Sequence, residues 1–216
     1  MNSYLVKTPS LVKRLNPSSV WSFPAEKNAV FLTFDDGPIP EVTPWVLDTL
    51  KEYDTKATFF CIGDNVRKHP EIFRRIISEG HAIGNHTHNH LKGWVTDTDT
   101  YISDFKTASE EIKSNYPEDR VNSSLLFRPP YGKIKTSQSK EIRRSGYTIV
   151  MWDILSLDWD KTVSPERCLE NVRNNIEPGS IVVFHDSLKA ERNLRYVLPE
   201  TLKFIKEKGW SGLAIS

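Results

Sequence analysis

From Ala29 onward the chain alternates between two patterns. Short runs of β-branched and aromatic residues are followed by longer segments in which apolar residues recur every three or four positions. The first pattern suits buried strands of a parallel sheet and the second amphipathic helices, so the alternation predicts repeated βα units. Strands are expected near Ala29–Phe34, Ala57–Ile62, Ala82–Gly84, Leu125–Phe127, Thr148–Trp152 and Ile181–Phe184, with a last short one near Gly212–Ile215. The helical pattern covers Val42–Tyr53, Pro70–Glu79, Thr98–Asn115, Thr136–Ser145, Pro165–Asn174 and Leu194–Lys208. Gly80, Gly146 and Gly209 fall where helices should stop.

A chain of 216 residues fits one α/β domain, here residues 25–216, behind an N-terminal extension, residues 1–24, packed on it or partly loose. With 29 Lys plus Arg against 28 Asp plus Glu, the net charge of +1 offers no field for a phosphate backbone, which argues against nucleic acid as a partner. Cys61 sits in an apolar run far from Cys168, so the two read as free thiols rather than a disulfide framework. No stretch approaches the ~18 apolar residues that span a bilayer, and Lys7, Lys13 and Arg14 interrupt any signal-peptide core. The sequence as it stands therefore predicts a cytoplasmic protein.

Chemistry enters through where the polar residues fall. Asp35 and Asp36, His86, Arg128, the segment Asp153–Asp158, and His185 each follow a different predicted strand, and in a parallel α/β barrel those strand ends converge on one face. Asp35-Asp36-Gly37-Pro38 is by itself an ordinary turn. Beside it, the segment Gly84-Asn85-His86-Thr87-His88-Asn89-His90 holds three of the six histidines. If that segment enters a helical turn, His86 and His90 share a face and could hold one cation at about 2.0–2.1 Å; otherwise it is an exposed His-rich loop. Two imidazoles plus Asp36 would form a three-ligand site with positions left open for water and substrate, as in catalytic rather than structural centres. Such a donor set favours zinc, with cobalt or nickel as alternatives.

Taken in order, five segments resemble the motifs of the polysaccharide deacetylase family, carbohydrate esterases with a NodB homology domain. They are Thr33–Pro38, His86–His90, Arg128-Pro129-Pro130-Tyr131-Gly132, Trp152–Trp159 and Ile181–Asp186. The resemblance covers about Ala29 to Ile215 and implies a single irregular (β/α)7 barrel of the NodB type. It further implies Asp35 as general base, Asp36, His86 and His90 as ligands of one divalent metal ion, and Arg128 as the cation that keeps Asp35 ionised. The Tyr131 backbone N–H would face the developing oxyanion, and His185, held by Asp158, would be the general acid. Trp159, Pro130 and Val183 would contact the sugar and its acetyl group. Leu155 stands where the family usually has an Asp, so that carboxylate's part is either absent or taken over by Asp153.

The implied activity is hydrolysis of N-acetyl groups on N-acetylglucosamine-containing poly- or oligosaccharides of chitin or peptidoglycan type. Two rivals share the fold: an O-acetyl xylan esterase or small-amide hydrolase, and a carbohydrate-binding relative without turnover. Trp45, Trp94 and Trp210 could extend a sugar groove, but scattered tryptophans read first as packing residues.

Overall fold

The computed structural model describes residues 5–117 and 125–216; residues 1–4 of the expected N-terminal extension lie outside them. In chain order the elements are α1 (Ser10–Leu15), β1 (Ala29–Asp35), α2 (Thr43–Glu52), β2 (Thr58–Cys61), α3 (Gly63–Lys68), α4 (Pro70–Ser78), β3 (Ala82–Asn85) and α5 (Thr98–Asn115). They continue with β4 (Leu126–Phe127), a 3-10 turn at Pro130–Gly132, α6 (Thr136–Arg144), β5 (Thr148–Ile149) and β6 (Ile154–Leu155). Then come α7 (Pro165–Arg173), β7 (Ile181–His185), α8 (Glu191–Glu207) and β8 (Ser211–Gly212). All strand pairs are parallel, in the order β5-β4-β3-β2-β1-β7-β6, with β8 against β1.

Alternation along β1 sets what lies where. Val30, Leu32 and Phe34 turn outward into the main core under the helices, with Val46, Leu47 and Leu50 of α2 and Leu194, Val197 and Leu198 of α8. Phe31 turns inward and packs with Phe60, Leu126, Val150, Ile181 and Ile215. Thr33 and Asp35 share that inward face, so the last inward position of β1 delivers a carboxylate to the barrel's upper end. The seven residues of β1 are all buried, as expected of a central parallel strand covered on both faces.

The structure is the expected irregular barrel and adds three details to it. The barrel does not close by strand pairing. The predicted strand Thr148–Trp152 shortens to β5, and an unexpected strand, β6, follows it, leaving an opening between the two. The N-terminal segment fills that opening. Val20 pairs with Val150, Lys7 pairs antiparallel to Ile154, and Ser22 bridges Ser180. Second, α1 and α3, six residues each, are too short for a helical period to be legible. Third, Asp153 precedes β6 instead of following a strand. Its N–H donates to the carbonyl of Ile181, the first residue of β7, so it sits at the opposite end of the sheet from His185. There it binds Lys7, Lys13 and the Ser180 hydroxyl, and it cannot stand in for the carboxylate missing at Leu155. Leu155 itself is buried with Leu157 and Val183.

Candidate active site and metal centre

Asp35, Asp36, His86, Arg128, Asp158 and His185 do converge at the carboxyl ends of the strands. The register explains it: Asp35 lies opposite both Phe60 of β2 and His185 of β7, and Asn85, just before His86, lies opposite Cys61 and Phe127.

Arg128 is fully buried. Its Nη1 donates to Asp35 Oδ1 at 2.7 Å and to Thr33 Oγ1 at 2.7 Å, while Nε and Nη2 donate to the carbonyls of Val150 and Met151. The guanidinium also lies 4.1 Å over the Phe60 ring. A buried cation held by these four hydrogen bonds acts as a fixed charge beside the carboxylate. Burial pushes the Asp35 pKa up, but Arg128, followed by His86 and His185, outweighs it, and the net shift is downward. Asp35 is ionised at neutral pH.

Asp36 has a left-handed backbone (φ 88°) that turns its side chain away from Asp35. Its ligand atom and those of His86 and His90 all lie within 4.8 Å of one another. The two histidines meet by a route other than the helical turn their spacing suggested. The loop 86–90 is not helical, and left-handed residues at Thr87 (φ 62°) and His90 (φ 54°) fold it back. The His86 Nδ1–H donates to the Arg128 carbonyl at 2.7 Å, which fixes the tautomer and leaves Nε2 a lone pair facing Asp36. Burial lowers the pKa of His86, and burial with the neighbouring His86 pushes His90 down to about 4, so both rings are neutral at pH 7. Asp36 Oδ1 is buried without a hydrogen-bond donor among the described residues. Two unprotonated imidazole nitrogens and an unsatisfied carboxylate oxygen fit a divalent cation.

On β7, His185 Nδ1 lies 2.9 Å from Asp158 Oδ1, and the His185 backbone N–H donates to Oδ2 at 2.8 Å. Burial alone would lower the imidazole's pKa, yet Asp158 raises it to about 9. His185 therefore carries a proton at neutral pH, with Nε2 as the free end. Trp159 lies against this ring, centroids 4.6 Å apart. Tyr131 adopts a left-handed conformation (φ 60°) inside the 3-10 turn. Its amide has no acceptor among the described residues, and its half-exposed ring covers His90 at 4.7 Å.

Two expected substrate contacts change. Val183 is packed in the cluster with Leu155 and Leu157, and Pro130 is buried. Trp94, expected to be a packing residue, is 59% exposed with Lys133 over its ring, whereas Trp45 and Trp210 do pack on the core.

Two further residues escaped the sequence. Asp186 accepts from the Gly37 N–H and the Thr43 hydroxyl, clamping the turn that carries Asp36. A Cβ on Gly37 would fall 1.9 Å from Asp186 Oδ2, so the turn tolerates only glycine there. Burial, with Asp36 nearby, raises Asp186 to about 8 despite those hydrogen bonds. Its position next to His185 in the fifth motif was the available signal. Asp104 on α5 accepts from the backbone N–H of His88 and Asn89 and from the Asn89 side chain, and nothing in the sequence marked it.

Known proteins resemble this chain in sequence and fold. The polysaccharide deacetylase family model matches residues 23–150. A peptidoglycan-N-acetylglucosamine deacetylase of Bacillus cereus is 34% identical over 211 residues, covering 95% of this chain and 96% of its own length. A second Bacillus cereus protein of that name is 40% identical over 167 residues, 77% of this chain; the match spans 59% of that longer relative. Among solved structures, a peptidoglycan N-acetylglucosamine deacetylase superposes with a TM-score of 0.86 at 33% identity, covering 96% of this chain and 95% of that one. A carbohydrate esterase family 4 pseudoenzyme from Bacillus anthracis gives a TM-score of 0.80 at 25% identity, covering 92% and 68%. A family match across more than half the chain and a relative aligned along nearly its whole length lead to one conclusion: the chain belongs to the polysaccharide deacetylase family.

Proposed function

We propose that the chain hydrolyses the N-acetyl group of N-acetylglucosamine residues in a glycan of peptidoglycan or chitin type. The observation that carries this reading is the pair of oppositely tuned groups, Asp35 held ionised by Arg128 and His185 held protonated by Asp158, at the strand ends that also carry Asp36, His86 and His90. Environments that push two titratable groups apart assign the base and the acid.

Asp36, His86 and His90 would hold a divalent ion, which would supply Lewis acidity to the acetyl carbonyl and to the attacking water. Asp35 takes a proton from that water as its oxygen bonds to the acetyl carbon. The Tyr131 N–H donates to the oxygen that gains charge. His185 then gives its Nε2 proton to the sugar nitrogen as the carbon–nitrogen bond breaks, releasing acetate and a glucosamine unit. Two observations support the metal and the substrate class: the unsatisfied Asp36 oxygen, and a solved relative described as a peptidoglycan N-acetylglucosamine deacetylase in complex with an N-hydroxybenzamide.

The fold alone does not separate this reading from a binding protein, because one structural neighbour is described as a pseudoenzyme. Acetate release decides it. Metal-stripped protein is assayed with and without zinc on N-acetylglucosamine oligomers and on acetylated xylan. Zinc-dependent release from the oligomers is expected. Release from xylan alone would move the substrate to O-acetyl sugars, and release from neither would favour a binding role. Asp35→Asn should retain zinc while losing about 10²–10⁴ in rate, and His86→Ala should lose both.

A further inference from the structure

One residue past His185 stands Asp186, a carboxyl with no exposed surface and no step of its own in the proposed reaction. Burying such a group costs stability unless its oxygens are met. The cationic groups of the site face other acids: Arg128 pairs with Asp35, His185 with Asp158, and His86 and His90 face Asp36. Asp186 meets two neutral donors instead, the Gly37 N–H at 3.0 Å on Oδ1 and the Thr43 hydroxyl at 2.6 Å on Oδ2.

Where those donors sit gives the carboxyl a task. Gly37 follows Asp36 and Thr43 opens α2, so one side chain joins both ends of the turn. Thr43 closes the turn from within, its Oγ1 accepting from the Ile39 N–H at 2.8 Å and its own N–H donating to the Ile39 carbonyl at 2.9 Å. The main chain of Asp186 adds a third tie, because its N–H donates to the Asp35 carbonyl at 3.1 Å. The Asp35 carbonyl and the Gly37 N–H belong to the two peptide planes on either side of the Asp36 Cα, and the angle between those planes is what the backbone torsions of Asp36 describe. Asp186 holds both planes from the β7 side. From the β2 side, the Asp36 N–H donates to the Phe60 carbonyl and the Asn65 side chain donates to the Asp36 carbonyl. The conformation so fixed is left-handed (φ 88°), which a residue other than glycine keeps only when its surroundings over-determine it.

We infer that Asp186 is a positioning residue of the metal centre: it holds Asp36 in the left-handed conformation that aims its carboxylate at His86 and His90. Because Asp186 follows His185 directly, the same residue ties the metal ligand to the strand that carries the acid. The inference rests on Asp36, His86 and His90 as the metal ligands, and is independent of which glycan is the substrate.

The test uses the full chain, stripped of metal and titrated with zinc against a chromophoric chelator, below the melting temperature of each variant. Asp186→Ala leaves the Gly37 N–H without its acceptor and should bind zinc about 10–100-fold more weakly. Asp186→Asn retains an oxygen for Gly37 and gains an amide that can donate to the Thr43 hydroxyl oxygen, so it should stay within about threefold of the parent. Thr43→Val, close to isosteric, removes one arm of the clamp and should fall between them. With cobalt in place of zinc, the visible absorption bands report ligand geometry; they should change in Asp186→Ala and match the parent in Asp186→Asn. Zinc affinity of Asp186→Ala within about twofold of the parent, even with a lowered melting temperature, would leave Asp186 a packing residue and overturn the inference. A loss in Asp186→Asn as large as in Asp186→Ala would assign the effect to charge and also overturn it. If Asp186→Ala does not fold, Thr43→Val decides, and parental zinc affinity there overturns the inference. A parent that binds no zinc overturns the metal site itself and this inference with it, whereas a parent that binds zinc beside an equally tight Asp186→Ala overturns the inference alone.

Discussion

Arg128 carries a full charge with no exposed surface, and it is tolerable because four of its five N–H donors meet an oxygen, one of them the Asp35 carboxylate. Its partner depends on it more than it depends on its partner. In Arg128→Met the Asp35 carboxylate stays buried with no cation, a change that costs about 3–5 kcal/mol and should appear as a lowered melting temperature. Burial raises the Asp35 pKa once Arg128 no longer opposes it, so the acid limb of the rate profile should move to higher pH. The opposite limb belongs to His185. It must hold a proton to act, and its pKa is raised to about 9, so activity should fall as pH rises through that value. Asp158→Asn removes the raising charge and leaves the burial, which lowers an imidazole's pKa. The alkaline limb should then move to lower pH, with activity at pH 7–8 falling by about 10²-fold or more. A profile of kcat/KM against pH for both variants checks this; an alkaline limb unmoved in Asp158→Asn would deny Asp158 its part.

At the scale of elements, the strand ends do the positioning and the loops do the aiming. The loop bearing His86 and His90 has no helical hydrogen bonds to hold it; instead Asn85 Oδ1 accepts from the Thr87 N–H, and Asp104 gathers two backbone amides and one side-chain amide. Asp104→Ala would strand those donors at about 1–3 kcal/mol. By loosening the ligand loop it should also weaken zinc binding about 10–100-fold in competition with a chelator. Asp104→Asn keeps one acceptor oxygen and should fall between; zinc affinity equal to the parent in both variants would show that the loop holds itself. The sequence made β1, β2, β3 and β7 legible as short, largely apolar runs, and two of them, β1 and β7, end in the site residues Asp35 and His185. It hid β6, a two-residue strand whose hydrogen bonds come from β7 and from Val6 near the N-terminus. It also hid Asp104, which on a helix with mixed polar positions reads as a solvated acid; only the arrival of a loop from elsewhere in the chain buries it. His86 and His90 were identified together from their spacing, while the path that joins them, two left-handed residues, has no signature in that spacing.

For the molecule as a whole, the opening between β5 and β6 is the structural weak point, since an unpaired sheet edge invites both fraying and association. The N-terminal segment covers it, and Asp153 is the anchor: 1% exposed, bound by Lys7 and Lys13 and by the Ser180 hydroxyl. Burial pushes the Asp153 pKa up, but those three groups together bring it below the ordinary carboxylate value. A carboxyl whose pKa is depressed by folding stabilises the fold above its unfolded value, and that stabilisation is lost as pH falls through the folded one. The double variant Lys7→Met/Lys13→Met leaves Asp153 stranded and should cost about 2 kcal/mol, a fall of about 4–8 °C in melting temperature at neutral pH. Adding Asp153→Ala removes the stranded charge, so the triple variant should melt above the double one and below the parent. The gap between parent and double variant should narrow in acid, where Asp153 is neutral in either background. Asp153 lies level with Ile181, four residues down β7 from His185 and therefore about 13 Å away. Acetate release at moderate temperature should accordingly follow the parent in all three proteins, and a double variant that melts with the parent would show that the N-terminal segment is held by its backbone pairing alone.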